Sequence, residues 1–123
     1  MSGEIVNLML TLRNQVKIYH WETMKYARHK ATDELVDKLD DSIDKFVEVY
    51  IGKYGRPKLN ARTGTIRLRN FDDTQATTLL GEAISWMMDR LPSLLSKNDT
   101  DLLNIRDEIL AELNQTLYLF TLQ

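Results

Sequence analysis

The two histidines of this chain, His20 and His29, lie in or beside a segment dense in carboxylates. His29 and Asp33 are four residues apart, and so are Asp44 and Glu48. On a helix that step puts two side chains on adjacent turns of one face, close enough to share an ion. Imidazole nitrogen combined with carboxylate oxygen suits iron, manganese or zinc. The chain has no cysteine, which excludes disulfides and thiolate sites and leaves His, Asp and Glu as its strong ligands. The two pairs cannot meet within one chain, because the interval from His29 to Asp44 spans about 22 Å of helix. A second copy can close the gap. If two such helices meet antiparallel across a two-fold axis, the His29/Asp33 end of each faces the Asp44/Glu48 end of the other, giving two equivalent sites. The plain alternative is a solvated acidic face, since Asp33, Glu34, Asp37, Asp40, Asp41, Asp44 and Glu48 outnumber Lys38 and Lys45. His20 sits at the edge of an apolar stripe, where a lone histidine is more often a packed core residue than a ligand.

The elements that position these groups are legible from hydrophobic period. Ile5, Met9, Leu12, Val16 and Tyr19 recur at helical steps and predict a first helix from Ser2 to about Met24. Leu35, Val36, Leu39, Ile43, Phe46, Val47 and Tyr50 predict a second, stopping near Gly52, Gly55 and Pro57. Thr32 before Asp33 and Glu34 also resembles a helix start, an alternative that would leave His29 in the preceding loop. Asp72 with Gln75 forms a capping-box pattern ahead of the stripe Leu79, Leu80, Ala83, Ile84, Met87, Met88 and Leu91, which ends or kinks at Pro92. Asn98 or Asp99 can cap a last helix whose stripe is Leu102, Ile105, Ile109, Leu113, Leu117 and Phe120. Four amphipathic helices predict an all-α antiparallel four-helix bundle in a single domain over residues 1–123, with the long connection between the second and third helices that marks a ferritin-like arrangement. Trp86, Met87 and Met88 read as core or interface packing rather than a cofactor box.

That connection, GRPKLNARTGTIRLRNF, carries Arg56, Lys58, Arg62, Arg67 and Arg69 and no acid. Its cations could grip phosphates. It has no stacking platform among them, and a net charge of −2 gives the chain no general attraction to nucleic acid, so a solvated loop or subunit contact is the expected role and nucleic acid is not an expected partner. A hydrophobic fraction of 43% with 28% charged residues is ordinary for a soluble domain, and no apolar run is long enough to cross a membrane. Without a recognisable secretory signal the expected location is cytoplasmic, and the sequons at Asn98 and Asn114 are chance matches.

His20-Trp21, followed by His29, three residues, Asp33, ten residues, Asp44, three residues and Glu48, resembles the pattern of the Dps-like mini-ferritins of the ferritin superfamily. IDKFVEVYIGKYGRP and DTDLLNIRDEILAELNQTLYLF are similar to that family's second and last helices. HWETMKYARHKATDEL and FVEVYIGKYGR more closely resemble uncharacterised ferritin-like proteins of large DNA viruses. The link between His20 and His29 is shorter than in typical mini-ferritins and lacks their glycine. The resemblance implies iron ligands His20, His29 and Asp33 from one subunit and Asp44 and Glu48 from its two-fold mate. It also implies ferrous iron oxidised there, usually with peroxide, and ferric mineral stored in a dodecameric shell. The alternative expectation is a ferritin-like structural or interaction protein, viral in origin, that keeps the bundle without turnover.

Overall fold

The structure is a computed structural model describing residues 2–123, in which all regular structure is helical and no strand occurs among the described residues. The helices are α1 (Ser2–Glu22), α2 (Tyr26–Tyr54), α3 (Asp73–Ser85), α4 (Leu91–Ser93) and α5 (Thr100–Leu119). A π-helical turn over Trp86–Arg90 joins α3 to α4 as one rod, so four rods make up the described chain.

Each predicted stripe supplies one wall of a single core. Met9, Leu39, Phe46, Met87, Leu91, Leu102, Ile109 and Leu113 are fully enclosed, while Val47, Tyr50, Leu79, Ile84 and Leu117 pack at its margin. Met88 departs from the predicted core stripe and is 57% exposed. Consecutive helical residues point about 100° apart, so only one of the two methionines can face the core.

Cross-helix contacts fix the directions. Arg13 pairs with Asp40 and His20 with Asp33, so residue numbers rise along α1 as they fall along α2. Ser42 with Glu112 and Lys53 with Asp101 set α5 against α2 in the same way, and Tyr19 with Asp73 and Glu4 with Arg90 set the α3–α4 rod against α1. Helices α2 and α3 therefore run in the same direction, and the segment joining them must travel back along the molecule.

Gly55 ends α2 at φ 88°, a backbone state that side chains disfavour, with its N–H returning to the Ile51 carbonyl. The connection then lies along α1. The Asn7 amide donates to the Thr63 and Thr65 carbonyls, at 2.8 Å each. The buried Gln15 amide clasps Arg69 on both sides, donating to its carbonyl at 2.9 Å and accepting from its N–H at 2.7 Å. Gly3 allows the close approach, since a Cβ there would lie 2.7 Å from the Lys58 carbonyl oxygen.

The capping box at the start of α3 forms as its sequence predicts, Asp72 accepting from the Gln75 N–H and the Gln75 side chain accepting from the Asp72 N–H. Pro92, where the sequence predicts an end or a kink, is followed by the end of the rod at Ser93 and preceded by the π-turn. In an i→i+5 pattern the Met87 carbonyl would look to residue 92, and proline has no N–H to give. Arg106 fills the gap from α5, its Nη1 donating to that carbonyl at 3.0 Å. Asp99 precedes α5, but its carboxylate makes no cap bond to the helix. It accepts instead from Lys53, Tyr54 and the Ser96 N–H, locking the end of α2 to the turn before α5.

Candidate metal centre

Helix α1 ends at Glu22 and α2 begins at Tyr26, so only residues 23–25 make the turn. This places His29 and Asp33 on one helix, as their four-residue spacing allows, and rules out the alternative start at Thr32 with His29 in a loop. Thr32 is buried within α2, and its hydroxyl donates back to the Arg28 carbonyl at 2.7 Å, a use open to a threonine inside a helix as well as at its cap. The tight turn folds His20 and His29 onto each other. Their rings stack with centroids 4.0 Å apart and planes 17° from parallel.

The stack is held by two reciprocal bonds. His20 Nδ1 lies 2.9 Å from the His29 carbonyl oxygen, and His29 Nδ1 lies 3.0 Å from the His20 carbonyl oxygen. A carbonyl oxygen can only accept, so both Nδ1 atoms carry the proton. In the neutral rings both Nε2 atoms then keep their lone pairs. This is how second-layer carbonyls commonly prepare histidines for metals, by fixing tautomer and orientation together. His20 Nδ1 also lies 3.0 Å from the Thr32 hydroxyl, and His20 Nε2 is 4.0 Å from an Asp33 carboxylate oxygen. His20 is buried, whereas His29 and Asp33 are exposed.

The structure thus gathers His20, His29 and Asp33 at one end of the α1–α2 pair. Asp44 and Glu48 stand exposed further along α2, Asp44 beside Arg13, Asp40 and Ile43. Among the described residues no three His, Asp or Glu groups of one chain converge on a position that could hold an ion. Imidazole nitrogen with carboxylate oxygen is a donor set that suits iron, but within one chain these groups do not assemble into a site.

Sequence reasoning did not find the polar clasp behind this site. Arg28, buried beside His29 in sequence, donates through Nη1 to the Tyr19 hydroxyl at 3.0 Å and the Asp73 carbonyl at 2.8 Å, and its guanidinium lies 4.3 Å from the Phe120 ring centre. Tyr19 in turn donates to the Asp73 carboxylate, at 2.5 Å. Burial, then the bond to Asp73, pushes the Tyr19 hydroxyl above its ordinary pKa, and that same bond leads the causes holding Asp73 below the usual carboxylate range. The clasp ties the α1–α2 turn to the start of α3 and the end of α5. Arg28 carries no signal in the sequence that separates it from the lysines of the same helix, Lys30, Lys38, Lys45 and Lys53.

A family described as a family of unknown function (DUF5856) matches residues 20–120. The chain belongs to this family. The DUF5856 match opens at His20 and takes in His29, Asp33, Asp44 and Glu48, so all five candidate ligands lie inside it. An uncharacterised 14.6 kDa protein in the mobD-ri intergenic region of Enterobacteria phage T4 is 42% identical over 55 residues. That stretch spans 45% of this chain and 43% of the phage protein. No solved structure matches this DUF5856 chain.

Proposed function

We propose that the protein binds ferrous iron and oxidises it at sites completed by a second copy of the chain, within a ferritin-like bundle. The observation that carries this reading is the reciprocal pair of Nδ1-to-carbonyl bonds, which leaves a lone-pair Nε2 on each ring, that of His20 4.0 Å from an Asp33 carboxylate oxygen. Near-parallel rings 4.0 Å apart hold those lone pairs in separate planes, so they suit two neighbouring ions better than one. Two ions match the chemistry, because peroxide accepts two electrons as its O–O bond breaks to water and each ferrous ion gives one. Asp44 and Glu48 of the two-fold mate would supply the remaining carboxylates, and hard oxygen ligands favour the ferric product. Parallel α2 and α3 joined by a full-length connection agree with ferritin-like topology. The dimer is the proposed working unit, and a dodecameric shell around stored ferric mineral extends the proposal.

A second reading rests on the same bonds. Stacked rings that close the α1–α2 turn by hydrogen-bonding each other's backbone have a sufficient structural role, as in a ferritin-like interaction protein without turnover. Ferrous iron and peroxide added to purified protein separate the two. Under the first reading ferric absorbance grows faster than in buffer, and Glu48→Ala, an exposed change that leaves the turn intact, slows it by at least about tenfold. A wild-type rate equal to that of buffer would support the second.

A further inference from the structure

The five cations of the 55–72 connection stand apart from the histidine site. None of Arg56, Lys58, Arg62, Arg67 or Arg69 has a carboxylate within ion-pair distance among the described residues, although the chain holds 18 Asp and Glu. A solvated basic loop would ordinarily be free to move, yet this one is pinned to α1. Asn7 holds the backbone at Thr63 and Thr65, Gln15 clasps Arg69, and Asn60 and Thr63 bond each other side chain to backbone in both directions. The pinned segment frames an open depression against α1 lined by Asn7, Thr11, Ala61, Arg62, Thr65 and Arg67.

We infer that this depression is an oxyanion site for a phosphate group, with Arg62 and Arg67 as its charged donors. Guanidinium forks match phosphate oxygens in pairs, and the lining holds no carboxylate to repel an anion, while the Asn7 amide and the Thr11 and Thr65 hydroxyls, already donating within the protein, fix its shape. The backbone is fixed before any ligand arrives, which lowers the ordering cost of binding. Lys58 and Arg69, further along the same connection, make the local field positive on a molecule of net charge −2. The phosphate can be free or part of a nucleic-acid backbone, and the site chemistry is the same for both.

Calorimetric titration of the full chain with pyrophosphate, and separately with a single-stranded thymidine oligonucleotide, tests the assignment. Arg62→Ala and Arg67→Ala are exposed changes that leave the pins at Asn7 and Gln15 intact, and unchanged helicity checks the fold. Saturable binding of pyrophosphate is expected, weakened about tenfold by either change, with Arg67→Lys weakened less than Arg67→Ala. Binding confined to the oligonucleotide also supports the site and names a polymer source, provided the slope of log affinity against log salt becomes shallower by about 0.7 for each arginine removed. Binding of neither probe, or binding that both alanine variants keep in full, overturns the proposal.

Discussion

The most consequential single residue outside the proposed ligands is Arg28, because its charge is buried and committed to three helices at once. Its Nε has no partner, so the guanidinium stabilises through Nη1 and its contact with Phe120 alone. Arg28→Ala should cost about 2–4 kcal/mol in urea unfolding, and Arg28→Met, which keeps the stem, should cost less. Asp99 makes a prediction in pH. Its bond from Lys53, then that from Tyr54, and the Ser96 N–H lower its pKa from the ordinary 3.8 to about 2. A carboxylate with a depressed folded pKa contributes stability that is complete above its unfolded pKa and is lost as pH falls toward the folded value. The wild type should therefore lose stability between about pH 4 and 2 more steeply than Asp99→Asn, as read from urea melts across that range. Equal slopes would remove Asp99 from the acid limb.

At the scale of elements, the π-turn ties a backbone irregularity to one side chain. Replacing Arg106 with leucine removes the donor to the Met87 carbonyl, and the protein should lose about 1–3 kcal/mol, with Arg106→Lys recovering part of it. Full stability in the leucine variant would mean that water serves that carbonyl equally well. The sequence marks Pro92 as an end or a kink, because a missing N–H is a local fact, but not the π-turn or Arg106, because the compensating donor comes from another helix. The same distinction explains the other elements. Apolar period located four helices, and the Asp72–Gln75 box placed the start of α3 to the residue. The start of α2 is ambiguous in the sequence because Thr32, Asp33 and Glu34 have cap chemistry, while the actual first residue follows Lys25, which makes no side-chain cap bond. Nothing local records that a three-residue turn suffices. The stacking of His20 on His29 follows from that turn, so the two histidines are legible in the chain while their ring geometry is not.

On the scale of the whole molecule, the His20/His29/Asp33 group and the Asp44/Glu48 pair occupy different stretches of the α1–α2 layer, and the proposed chemistry needs them together. The protein should therefore scatter light as a dimer or larger at micromolar concentration. A stable monomer near 14.3 kDa that still binds iron stoichiometrically would break the shared-site account. The most direct measurement is subunit complementation. One variant carries alanine at His20, His29 and Asp33, the other at Asp44 and Glu48, and each homodimer has every site damaged. After the two are unfolded together and refolded, roughly half the dimers are mixed, and each mixed dimer has one intact site of two. Ferrous oxidation by peroxide should return to roughly a quarter of the wild-type rate, whereas ligands drawn from a single chain could restore none. A refolded mixture that contains mixed dimers by mass yet stays as inactive as either parent would contradict the account.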